Sequence, residues 1–60
     1  MNIIPSTDWP GMWVIVEGEN CLKDTGYGVG FSYGKHFTFE SYQDALRMLQ
    51  KIADGEVRLE

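Results

Sequence analysis

The stretch SYQDALRMLQKIAD, residues 41–54, decides the fold class. Tyr42, Ala45, Leu46, Leu49, Ile52 and Ala53 recur at the i, i+3, i+4, i+7 spacing of an amphipathic helix, with Met48 at the margin. Gln43, Asp44, Arg47, Gln50, Lys51 and Asp54 share the opposite sector, so the apolar face needs a sheet to dock on. Ser41 is a good N-cap, and Asp44 lies where its carboxylate meets the positive end of the helix dipole. Gly55 stands where a left-handed residue would close the helix.

Upstream of the helix the period changes from 3.6 to 2. Residues 35–40 place Phe37 and Phe39 on one side and His36, Thr38 and Glu40 on the other; residues 27–33 place Tyr27, Val29, Phe31 and Tyr33 opposite Gly28, Gly30 and Ser32. Both segments read as strands. Residues 12–17, MWVIVE, are β-branched and aromatic on both faces, as expected of a central strand or one covered on both sides. Residues 18–26 carry turn formers at both ends and read as a long connection, with Cys21 and Leu22 tucked inward. Residues 1–11, punctuated by Pro5, Pro10 and Gly11, read as an extended arm ending in a turn. Residues 56–60 alternate and could add a short edge strand. The expectation is one α+β domain over residues 1–60: a three- or four-stranded antiparallel sheet at 12–40 with one amphipathic helix on one face.

Register then decides which face stays open. A two-residue loop of Gly34 and Lys35 suits a type II′ turn, which wants glycine first, and pairs Tyr33 with His36, Phe31 with Thr38, and Val29 with Glu40. Phe37 and Phe39 would lie over the glycine row under the helix, and Tyr27, Val29, Phe31 and Tyr33 would face outward. A three-residue loop, Gly34 to His36, would instead gather Phe31, Tyr33, Phe37 and Phe39 under the helix. The first register is preferred, because the longer loop wants glycine at its last position, where His36 stands.

Composition limits the function classes. Two Trp, three Tyr and three Phe in 60 residues mark a folded chain, but one too short for two cores. The single Cys21 cannot form an internal disulfide, and no Cys and His cluster offers a zinc site, which favours a reducing, cytoplasmic setting. No apolar run approaches the length of a membrane span, and no secretory leader is evident. The net charge is −4, with nine carboxylates against five scattered Lys and Arg, which disfavours a nucleic-acid surface.

No catalytic, metal or cofactor constellation emerges. His36, beside a turn, lacks a nearby nucleophile or second acid; Cys21 lacks a CxxC partner. Residues 26–30, GYGVG, alternate inside a strand and so are not a phosphate loop leading into a helix. Asp24, Glu40 and Asp44 are too dispersed for a carboxylate pair or a calcium loop.

The segment at 34–45, GKHFTFESYQDA, resembles the third strand and helix start of the small N-terminal arm-binding domains of tyrosine integrases and of AP2-like domains. The resemblance covers roughly the last half of the chain and implies three antiparallel strands backed by one helix. It departs at Val29, Phe31, Tyr33 and Thr38, where those families carry Arg and Lys along the sheet for DNA.

The expectation is therefore a non-enzymatic, acidic protein-interaction module, of the size of a phage or mobile-element inhibitor or adaptor. It would bind a protein partner through Tyr27, Phe31, Tyr33 and His36, bordered by Glu17 and Glu40. Two alternatives use the same aromatics, one stacking single-stranded nucleic acid on them, the other joining two copies in a homodimer.

Overall fold

A computed structural model describes residues 1–59. Its elements are β1 (Asn2–Pro5), β2 (Trp13–Glu17), β3 (Asn20–Cys21), β4 (Lys23–Asp24), β5 (Val29–Gly30), β6 (Lys35–His36) and α1 (Tyr42–Ala53). They form two three-stranded antiparallel sheets, ordered β1-β2-β3 and β5-β4-β6, and the helix packs on β1 and β2. The α+β class with one helix on antiparallel strands is thus the observed architecture.

The arm at the N-terminus is partly strand. Asn2 to Pro5 pair with Val16 to Trp13, which makes β2 the central strand of the first sheet. Pro5 is tolerated because it is the last residue of an edge strand, where its missing N–H breaks no central ladder. Centrality explains why β2 is apolar on both faces: Ile15 points into the main core and is fully buried, while Val14, also buried, faces a hollow beneath Trp9.

The second sheet differs from the expected hairpin. Residues 27–33 and 35–40 do not pair with each other, because Lys23 and Asp24 lie between them: Lys23 pairs with both Gly30 and His36, and Asp24 with both Val29 and Lys35. Gly34 does take a positive φ, of +120°, but Gly34 and Lys35 do not fold residues 35–40 back onto residues 27–33. Residues 25–28 connect β4 to β5, with Gly26 at φ +91° and Thr25 donating to the Gly28 carbonyl at 3.1 Å. Only Val29 and Gly30 of the alternating run enter the ladder. Two bonds tie the sheets together around Leu22: its N–H donates to the Ile15 carbonyl at 2.7 Å, and its carbonyl accepts from Phe37 at 3.2 Å. Trp13 and Phe39 exchange both backbone bonds, at 2.7 and 2.8 Å.

Core composition follows from that connection. Ile15, Leu22, Val29, Phe39 and Ala45 form the buried cluster, with Ile3, Trp13, Phe31, Phe37, Met48, Leu49, Ile52 and Val57 packed against it. Phe37 and Phe39 stack at 4.9 Å and belong to the same cluster as Ala45 of the helix, but not over the glycine row, from which β4 separates them. Val29 and Phe31, expected on the open face, turn inward instead, since without direct pairing to residues 35–40 nothing forces them opposite to the phenylalanines. The glycine row was expected to admit the helix. It admits the C-terminal segment: Val29 donates to the Arg58 carbonyl at 2.8 Å, and a Cβ on Gly28 would collide with that carbonyl. Leu59 bridges Val29 in parallel, which supplies a single pairing where an edge strand at 56–60 was expected; Glu60 lies outside the described residues.

The helix is capped as its sequence indicates. Ser41 Oγ accepts from the Asp44 N–H at 3.2 Å. At the other end Gly55 sits at φ +80° and donates to Ile52, while Glu56 donates to Lys51, the paired bonds of a Schellman closure. Its docked face is narrower than its apolar arc. Ala45 is fully buried, Met48, Leu49 and Ile52 are half-buried, and the Tyr42 ring meets Trp13 edge-on at 5.5 Å, but Leu46 and Ala53 face solvent.

Candidate functional site

The short strand β4 organises the most exposed aromatic surface. Its C-terminal end runs into the Gly26 and Tyr27 turn, held by the Gly26 N–H donating to Asp24 Oδ1 at 2.9 Å and the Tyr27 N–H donating to Thr25 Oγ1 at 3.3 Å. These are the Asx and Ser/Thr turn bonds that fix a loop locally. Gly34, at φ +120°, packs so closely on Asp24 and Thr25 that a side chain there would meet the Asp24 carbonyl. The Tyr27 turn and the Tyr33 and Gly34 segment are therefore neighbours at one rim. Tyr27 is 81% exposed and Tyr33 54%. Between the turns lies a solvent-open depression lined by Asp24, Thr25, Gly26, Gly34 and Lys35.

The other proposed contact residues are distributed. Phe31 is half-buried against the core, so much of its ring serves packing. His36 is exposed on β6 and its ring lies 5.1 Å from Trp9, tilted by 52°. Glu40 is exposed between Phe39 and the helix cap. Glu17 stands apart: it ends β2 and accepts an ion pair from the Met1 amino group at 3.1 Å. Trp9 lies beyond the Trp13 end of that strand, and Trp13 and Glu17 are themselves roughly 13 Å apart by the strand rise. Tyr27 with Tyr33, and His36 with Trp9, form two local groups, and Glu17 belongs to neither.

Sequence reasoning did not place Trp9 on a binding surface; it is 43% exposed, and the Trp9 N–H donates to Ser6 Oγ at 3.1 Å. Beneath it Ile4, Val14, Cys21 and His36 line a hollow of about 70 Å³, far below the roughly 300–1,000 Å³ of small-molecule sites. Cys21 is free and half-buried. Lys23 is also committed internally, since Nζ donates to the carbonyls of Cys21 at 3.2 Å and Phe31 at 3.0 Å. That bond set explains how a lysine can occupy the middle strand of a sheet.

Among the described residues no cluster of His, Cys, Asp and Glu could hold a metal ion, and no buried side-chain nitrogen or oxygen lacks a partner. No described helix is long and apolar enough to cross a membrane. Comparison with protein-family models, curated protein sequences and solved structures finds no match. The chemistry of the surface itself is what remains to argue from.

Proposed function

We propose that the chain is a non-enzymatic protein-interaction module that recognises a partner through the tyrosine rim of β4. The observation that carries this reading is Tyr27. The connection favours glycine at position 26, where φ is +91°, but makes no demand for an aromatic after it, and a tyrosine exposed to 81% there contributes almost nothing to the core. Tyrosine is well suited to contact: a large, stiff, amphipathic ring with few rotors to immobilise. The side-chain bonds of Asp24 and Thr25 hold the turn in advance, which lowers the ordering cost of binding. A protein partner with basic groups around an apolar contact suits the chain's net charge of −4. An inhibitor or adaptor acting in the cytoplasm fits this chemistry.

Stacking of single-stranded nucleic acid would use the same rings. It is disfavoured by the five scattered basic residues and by the internal bonding of Lys23. The test replaces Tyr27 with a photo-crosslinking phenylalanine analogue in the cell that makes the protein. The expected result is one discrete protein adduct that Tyr33→Ala diminishes. Failure to form a protein adduct, together with quenching of tyrosine emission by mixed oligonucleotides at low salt, would transfer the rim to the nucleic-acid reading.

A further inference from the structure

We propose that the outward seam of α1 is a second interaction surface, on which two copies of this chain pack their helices antiparallel. At about 100° per residue the apolar side chains of α1 span about 160°, well beyond the roughly 100° that one docked face requires. The excess is ordered. Tyr42, Leu46, Leu49 and Ala53 follow each other at spacings of four, three and four, which is the a/d repeat of a coiled-coil seam. Leu46 is 39% exposed and Ala53 exposed, Tyr42 leaves 48% of its surface open while its ring meets Trp13 edge-on at 5.5 Å, and Leu49 is shared between the seam and the core. A parallel stripe, Ala45, Met48 and Ile52, is the one the sheet covers.

Charge placement identifies the occupant. Every charged residue of the helix, Asp44, Arg47 and Lys51, falls at the outermost b and f positions of this repeat, as does the cap Asp54. They balance to zero. Two chains of net charge −4 repel, and this face is where they can meet without opposing like charges. The positions bordering the seam on its solvent side are Gln43 and Gln50, whose amides both donate and accept and so complement themselves across a two-fold axis. Size fixes the direction. In an antiparallel pair Tyr42 lies over Ala53 of the second copy, large against small, and Leu46 over Leu49, whereas a parallel pair would set tyrosine on tyrosine and alanine on alanine. Gln43 then neighbours Gln50 of the second copy.

A 12-residue helix is about 18 Å long, so the contact belongs to the small, reversible class of interfaces. Sedimentation velocity from roughly 10 µM to 1 mM spans the range such contacts occupy. The wild-type chain is expected to pass from monomer to dimer across that range. Leu46→Glu, at an exposed position, is expected to remain monomeric with an unchanged far-ultraviolet circular dichroism spectrum. Gln43→Glu with Gln50→Glu should weaken the dimer about tenfold or more by placing acids together, and Gln43→Glu with Gln50→Lys should restore it, because the antiparallel pair sets 43 beside 50. Tyr27→Ala with Tyr33→Ala should leave the dimer intact, which separates this surface from the rim of β4. A wild-type monomer at the highest concentration, a dimer indifferent to Leu46→Glu, or identical behaviour of the two glutamine double variants would overturn the proposal.

Discussion

Gly28→Ala separates the packing of this fold from backbone strain. Gly28 is not in the left-handed region, so alanine meets no conformational penalty of its own. At such a position the substitution ordinarily stabilises a protein by about 0.4–1 kcal/mol by restricting the unfolded chain. Here the new Cβ would occupy the space of the Arg58 carbonyl. The C-terminal segment must move away, weakening the 2.8 Å bond from Val29 and the bridge to Leu59. A lost hydrogen bond of about 0.5–1.5 kcal/mol, with about 1–3 kcal/mol for forcing a methyl group into a filled site, outweighs the entropic gain. The net expectation is a loss of about 2 kcal/mol, a fall in Tm of roughly 8–16 °C for a domain of this size. Urea and thermal unfolding followed by circular dichroism measure it, and faster amide exchange at Val29 should accompany it. A variant as stable as wild type or more so would show that residues 58 and 59 do not pack on β5, and the reasoning would fail.

Further substitutions probe other parts. Gly34→Ala should destabilise more than Gly18→Ala in the same unfolding assay, because both sit at positive φ but only Gly34 also abuts the Asp24 carbonyl. Leu22→Ala should cost about 2–5 kcal/mol, enough to leave a chain of this length partly unfolded at 37 °C by near-ultraviolet circular dichroism, since Leu22 is fully buried where the two sheets join. Ser41→Ala should cost about 1 kcal/mol through the lost cap on the Asp44 N–H, visible as a lower urea midpoint at constant m-value. Tyr27→Ala with Tyr33→Ala should change stability by no more than about 0.5 kcal/mol, since both side chains are largely exposed; a larger loss would assign the pair a structural role.

The helix was legible because its information is local. Ser41, the 3.6 period and Gly55 each act within a turn of the residue concerned, and all three appear where the sequence places them. The inward Leu22 and the two-sided character of residues 13–17 were legible for a similar reason, since burial follows hydrophobicity. The second sheet was not. Its middle strand is Lys23 and Asp24, two polar residues inside a run of turn formers, and their pairing is carried by backbone groups that leave no side-chain pattern. The chain also offers two glycine-first dipeptides, Gly26 with Tyr27 and Gly34 with Lys35, and turn chemistry alone does not choose between them. Choosing the second put Phe31 outside and Tyr27 within a strand; the structure packs Phe31 on the core and sets Tyr27 at a turn tip.

The placement of Tyr27 and Tyr33 on one rim depends on β4 lying between β5 and β6, and nuclear Overhauser contacts across the second sheet test that arrangement most directly. The account predicts backbone contacts from Lys23 to both Gly30 and His36, and from Asp24 to both Val29 and Lys35. Direct contacts of Gly30 with Phe39 and of Tyr33 with His36, with none from Lys23 to either flank, would contradict it.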